Sequence, residues 1–183
     1  MRQAQQCLRT RPGRCRGNSL IEFALILPLL LMLALGVVDY GRAIQYENIL
    51  TGMSREAANL SARTTALPDY IINAVASTAE PLTMSSGGMV YLTTLVGRAD
   101  GTGAVQSQSR LAGGDATLTS RIYTCTAWVG TTCTVPGSAV ASGLPLLLNA
   151  GEIVRVAETA YTYTPITGYI SSQSFVLYSL SVL

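Results

Sequence analysis

Residues 14–42 read RCRGNSLIEFALILPLLLMLALGVVDYGR, with arginines crowded at the start and no charge on the sixteen residues 23–38. At about 1.5 Å per residue those sixteen make roughly 24 Å of helix, short of a hydrocarbon core near 30 Å thick. Starting at residue 18 instead gives roughly 31 Å. The span is therefore complete only if Glu22 lies within it. The stretch is a secretory signal, a permanent anchor, or a segment of which one part is removed and the other kept, and the sequence on either side bears on the choice.

A secretory signal has a shorter apolar region, about 7–15 residues, ahead of a small-x-small cleavage site and the mature domain. The small residues of ALGVVDYG leave that reading open on composition alone. The residues downstream argue against it. Tyr46, Leu50, Met53, Ala57, Leu60 and Leu67 are spaced 4, 3, 4, 3 and 7, a helical stripe with no breaker before Pro68. Gly41 and Gly52 weaken such a helix by about 1 kcal/mol each without ending it. The pattern predicts one helix over 19–66, the first half in lipid and the second packed on something else. Pro28, inside the lipid half, is expected to kink it or leave a freed carbonyl.

Five of the twelve arginines (Arg2, Arg9, Arg11, Arg14 and Arg16) precede Gly17, with no acid among them. They orient the N-terminus toward the cytoplasm and everything after residue 40 outward. Without residues 1–17 the chain has seven arginines against ten acids, a net charge of −3, which gives no electrostatic basis for nucleic-acid binding. Glu22 is the costly residue. A carboxylate held toward the centre of a span costs up to about 2.5–3.5 kcal/mol, less at the headgroup level near a helix N-terminus. No Lys or Arg falls within 18–38, so a cationic partner for Glu22 would come from another molecule.

Histidine and lysine are both absent. That removes the Ser-His and Cys-His pairs, the His-containing zinc sites, the Schiff-base lysine and the phosphate-loop lysine. An enzyme would have to work with scattered carboxylates; no catalytic residue, metal or cofactor is expected. Cys7 and Cys15 lie in the basic leader, on the reducing side. Cys125 and Cys133, with seven residues between them, are expected to form a disulfide if exported, the alternative being two buried thiols.

Beyond Pro68, residues 69–81 suggest a short helix between two prolines. Runs rich in β-branched and aromatic residues at 89–97, 120–130, 152–164 and 174–183 suggest strands. The Gly, Ser and Thr-rich segments between them, RADGTGAVQSQSRLAGGD among these, read as loops. Asp100 and Asp115 offer too few carboxylates for a calcium loop. Tyr161, Tyr163 and Tyr169 suggest sheet packing or an exposed aromatic surface, and Trp128 a core position beside the disulfide. The apolar C-terminal end, Val182 and Leu183, suggests a covered last strand. The fold expected is α+β: a long N-terminal membrane-spanning helix continuing into a domain whose antiparallel sheet of about four strands packs on it.

The stretch RGNSLIEFALILPLLLMLALGVVDYGRA resembles the N-terminal signature of the TadE-like minor pseudopilins of tight-adherence (Tad/Flp) pilus systems. Its elements are Gly17, then Glu22-Phe23-Ala24, Pro28, and Asp39-Tyr40-Gly41-Arg42. MSREAANLSAR and VRVAETAYTYTPITG are similar to later parts of that family. The resemblance implies cleavage by a prepilin peptidase between Gly17 and Asn18; at Gly13 the corresponding position holds Asn18 in place of the glutamate. It implies that the Asn18 amine so released is the cation with which Glu22 of a neighbouring subunit pairs, and that Glu22 and Phe23 serve assembly. Implied partners are the peptidase, other Tad pilins and minor pseudopilins, the inner-membrane assembly platform and membrane lipid. The implied location is the bacterial inner membrane, N-terminus cytoplasmic, head periplasmic or pilus-associated.

The expected organisation is thus a cleaved leader over 1–17, a span over 18–38, an exported helical continuation over 39–67 and a periplasmic domain over 68–183. The competing expectation is an unprocessed single-span protein whose exported domain binds a ligand or partner on its own.

Overall fold

The structure, a computed structural model, describes residues 18–166 and 173–183, with side chains from residue 20 onward. Helix α1, Asn18–Arg63, is one unbroken run of 46 residues that continues through Pro28. From Asp39 onward one of its faces is buried: Asp39, Ala43, Tyr46, Leu50, Met53, Ala57 and Ser61. The spacings of three and four keep these residues on one side of a 3.6-residue turn. Before Asp39 the same helix buries nothing, and its leucines stand exposed all round.

A short link leads to α2, Pro68–Ser77, which starts with a proline and then Asp69 in its first turn. Both suit a helix start, where the missing N–H is no loss and a carboxylate meets the positive end of the dipole. Ile71, Ile72 and Val75 form its buried face. After the single turn of α3, Met84–Gly87, come β1, Gly88–Gly97, and β2, Gly103–Arg110. Next is a hairpin of two-residue strands, β3 Trp128–Val129 and β4 Thr132–Cys133, and then β5, Ile153–Tyr163, and β6, Phe175–Val182.

Among the described residues these make one six-stranded sheet in the order β3-β4-β2-β1-β5-β6, every pairing antiparallel. Pleating sends alternate residues to opposite faces. One face, with Val90, Leu92, Ala157 and Leu177, joins the apolar core with Leu50, Met53 and Ala57 of α1 and Ile72 and Val75 of α2. The other, with Leu95, Val105, Val154 and Val156, is covered by the long segment between β2 and β5 through Ile122, Ala139 and Leu148. Gly97 makes that cover possible at the end of β1, because a side chain there would collide with the backbone carbonyl of Asn149 at 2.0 Å.

The α+β arrangement of a long helix with an antiparallel sheet packed on it is as the sequence suggests, but several elements differ. The helix ends at Arg63, and Leu67, expected on its buried stripe, is 75% exposed just before α2. Strand β2 lies inside a segment expected to be a loop. Its sequence GAVQSQSR has one β-branched residue, and its place in the sheet comes from pairing with β1. The register slips between Thr94 and Leu95, leaving exposed Gln106 as the extra residue of a bulge. Conversely, only Trp128 and Val129 of the run 120–130 are in a strand, because Ser120, Arg121 and Ile122 turn inward to bind a buried carboxylate. β6 stands at the edge of the sheet and is covered on one face by α1, in keeping with the covered last strand expected.

Candidate functional site

Two features stand out: the uncovered first half of α1, and its junction with the sheet. Of the residues expected to matter in assembly, Gly17 lies outside the described residues, as do Cys7, Cys15 and Tyr169. Asn18 opens α1. Glu22 and Phe23 come next on its first turns, both exposed, and Pro28 lies on the same uncovered length. From Leu20 to Val38 large apolar side chains are 37–75% exposed. In water such a surface has nothing to stabilise it, whereas lipid tails supply an apolar surround on all sides. Among the described residues one helix is long and apolar enough to cross a membrane, and it is this one. Among the described residues α1 is the segment suited to anchor the chain in a membrane.

The junction is built around Asp39. Its backbone carbonyl accepts a hydrogen bond from the Tyr163 hydroxyl at 2.9 Å, and its carboxylate Oδ1 accepts the Ile166 N–H at 3.0 Å. Tyr46, two turns farther along α1, meets the rings of Tyr161 and Tyr163 edge-on at 5.8 and 5.5 Å, and its hydroxyl accepts from the Arg42 guanidinium at 3.0 Å. Burial, with the Asp39 charge adding to it, raises the Tyr163 phenol above its ordinary range. Tyr161 and Tyr163 do share a face, but it packs on the helix and is not an open aromatic surface. The structural role of Asp39 was missed by sequence reasoning, which named it only within the Asp39-Tyr40-Gly41-Arg42 motif. Its position seven residues before Tyr46 on the stripe was the available signal.

Farther along, Thr159 donates to the Leu50 carbonyl at 2.9 Å, and the hydroxyls of Ser54 and Ser179 meet at 3.0 Å. The helix is thus bonded to β5 and β6 as well as packed on them.

On the opposite face of the sheet Glu158, 1% exposed, collects four donors. They are the Ser120 hydroxyl, the Arg121 N–H at 2.8 Å, the Ile122 N–H at 3.3 Å and the Tyr178 hydroxyl at 2.7 Å. A buried carboxylate satisfied in this way holds the covering segment to β5 and β6. Burial first, then the Glu158 charge and hydrogen bond, push the Tyr178 phenol far above its usual range. The Arg121 guanidinium lies over the Tyr178 ring at 4.0 Å. Gln108 extends the network, donating to Thr93, Ser120 and the Tyr123 carbonyl, while its own buried carbonyl oxygen has no protein partner among the described residues. This is polar structure inside a core.

Cys125 and Cys133 are joined, their Cα atoms 6.0 Å apart. The bond closes the β3–β4 hairpin, whose turn begins at Gly130 with φ +64°, a conformation suited to glycine. Trp128 is half-buried against Tyr91 and carries the Arg110 guanidinium over its ring at 4.3 Å. Asp100 and Asp115 each accept the backbone N–H and the hydroxyl of the threonine two residues on, which draws both carboxyls below their ordinary range. They close two separate turns. Among the described residues no three His, Cys, Asp or Glu side chains cluster as metal ligands.

A family model described as TadE-like protein matches residues 17–59. This segment is TadE-like. The TadE-like segment begins at Gly17, takes in the whole uncovered length of α1 and the Asp39 junction, and stops four residues before the helix ends at Arg63. The head built from α2 onward lies outside the match. No curated protein and no solved structure matches the chain.

Proposed function

We propose that this chain is a minor pilin-like subunit, a pseudopilin, required for assembly of a Tad/Flp-type adhesive pilus. The observation that carries the reading is the TadE-like match to residues 17–59, which starts at the glycine where a prepilin peptidase would cut. In this reading the basic leader 1–17 stays at the cytoplasmic face of the bacterial inner membrane and is removed there. Residues 18–38 hold the mature protein in the bilayer and the sheet domain stands in the periplasm. Cleavage turns the Asn18 amide into an ammonium, and Glu22 pairs with that group on an adjacent subunit as helices of this protein and other Tad pilins gather at the assembly platform. No catalytic step is assigned to the chain, and its partners are the peptidase, pilin-like helices, the platform and lipid.

The test is the N-terminal sequence and intact mass of membrane-extracted protein, from cells with and without the peptidase. A start at Asn18 that depends on the peptidase is expected. A start at Met1 would leave an anchored domain that binds a partner on its own, and a start beyond Gly36 would make the apolar stretch a secretory signal.

A further inference from the structure

The sheet is bonded to α1 from Asp39 to Ser54, and bonds at Asp39 fix the end of that contact nearest the apolar run. The Ile166 N–H is held 3.0 Å from the Asp39 carboxylate, and the Tyr163 hydroxyl is held 2.9 Å from the Asp39 carbonyl. Asp39 is the first charged residue after the apolar run. Residues 18–38 measure roughly 31 Å as a helix, the thickness of a hydrocarbon core, so Asp39 and whatever is bonded to it lie at the boundary between acyl chains and headgroups.

Among the described residues the chain at that level exposes apolar side chains beside the uncharged polar Thr164, Gln173 and Ser174. Ile166 is 60% exposed, Phe175 44%, Val176 48% and, on the helix, Tyr40 71%. Between helix and sheet an apolar groove of about 170 Å³ opens among Gly36, Tyr40, Tyr163, Pro165 and Phe175. The rim residues 164–166 and 173–176 carry no charge. Asp39, the acid at this level, is turned inward and 8% exposed.

We propose that this rim, Pro165, Ile166, Phe175 and Val176 together with Tyr40, is a lipid-contacting surface seated in the interfacial layer of the bilayer. Lipid is the occupant because the rim continues the lipid-exposed face of α1 across a groove whose one charged lining residue, Asp39, is buried and bonded to Ile166, and aromatic and apolar side chains with inward-turned polar groups suit that layer. The rim fixes the head upright on the membrane at a set height, and the groove takes the upper part of an acyl chain. The inference rests on α1 being the anchor and is independent of cleavage at Gly17.

The test uses the full chain in vesicles of phosphatidylethanolamine and phosphatidylglycerol, to which phosphatidylcholine brominated high or low on its chains is added. The chain has one tryptophan, Trp128, at the far edge of the sheet, so the wild type is the internal control. Ile166→Trp and Phe175→Trp each add one probe to the rim. The expected result is blue-shifted added emission, most of it lost to lipid brominated high on the chain and less to lipid brominated low, with Trp128 emission unchanged. Phe175→Trp keeps an aromatic ring and gives the reading if Ile166→Trp fails to fold. Protein that floats with the vesicles but whose added tryptophans emit as in water overturns the rim and leaves the anchor. Protein that does not float overturns both. Shielding from bromine that grows with protein density overturns lipid in favour of a second copy of the chain.

Discussion

Tyr163, the last residue of β5, donates its hydroxyl to the backbone carbonyl of Asp39, the residue where the apolar run of α1 ends. A residue 124 positions away in sequence thus fixes the sheet to the helix where the helix leaves its uncovered half. The head is not a domain on a tether, because the same turn of α1 also accepts the Ile166 N–H.

Removing either bond should loosen the base of the head first. Tyr163→Phe keeps the ring that packs on Tyr46 and Phe175 and loses one hydrogen bond, with an expected cost of about 1 kcal/mol. Asp39→Ala leaves the Ile166 N–H without its acceptor and should cost more, about 1–3 kcal/mol. Thermal melts of the detergent-solubilised protein would measure both, and hydrogen exchange at Ile166 should rise in Asp39→Ala before the global transition moves.

The Glu158 network should be the most sensitive polar site of the head. Glu158→Ala leaves the Arg121 N–H and the Ser120 and Tyr178 hydroxyls without this acceptor, while the Ile122 N–H keeps the Ser120 hydroxyl, and a loss of about 3 kcal/mol or more is expected. Glu158→Gln keeps the shape but turns an amide NH2 toward donors, so it should also destabilise, by less. Urea titrations of the two variants against wild type would rank them; a neutral Glu158→Ala would show that the covering segment does not depend on this carboxylate.

Tyr178 gives the same region a pH signature. Its phenol is raised above the ordinary value of 10.0 by burial and by Glu158, so the folded protein holds that proton more tightly than the unfolded chain. The stabilisation is therefore complete below pH 10 and is lost as the pH rises beyond it toward the raised folded value. Stability measured on the alkaline side should fall with pH, and Tyr178→Phe should flatten that fall. Tyrosinate absorbance monitored through the same titration would show a late-ionising fraction that shrinks in the variant, with Tyr91 and Tyr163 still contributing to it.

How far these features could be read from the sequence depends on what holds each one. The helix was legible because apolar spacing and a charge-free run are local properties of 18–63, and Cys125 with Cys133 because two cysteines eight positions apart are close enough to pair. Strand β2 was not legible: Val105 is its one β-branched residue, and Gln108 and Ser109 are buried because β1 and the covering segment provide partners, which local composition cannot reveal. The run 120–130 misled for the converse reason. Its Ile122 and Tyr123 look like strand, but Glu158, 36 residues away from Ile122, captures the backbone first. At the candidate site Asp39 was visible as a residue and invisible as a junction, since its partners, Tyr163 and Ile166, come from the far end of the chain.

Reduction should affect one corner only. The Cys125–Cys133 loop is short, so in a chain-entropy picture opening it costs about 2–3 kcal/mol. A double Cys→Ser variant should lose that amount and release the β3–β4 hairpin together with the stacking of Arg110 on Trp128. Trp128 fluorescence should respond to reductant while the helix–sheet junction, probed by exchange at Ile166, stays closed.

Glu22 remains the residue on which the functional reading turns. It lies on the uncovered length of α1 inside the TadE-like segment, and a carboxylate there disfavours insertion by up to about 2.5–3.5 kcal/mol if drawn toward the membrane centre. Glu22→Gln removes that charge while leaving Gly17 and Asn18 intact. Membrane retention should be undiminished or improved, and the peptidase should still produce a start at Asn18. Pilus assembly, counted as sheared filaments per cell, should nevertheless fall severely, because the proposed pairing of this carboxylate with a neighbour's Asn18 ammonium would be lost. If assembly were normal with Glu22→Gln while Gly17→Val blocked it, cleavage would matter and the glutamate–amine pairing would not. If neither variant had an effect, the head would be acting as an anchored binding domain.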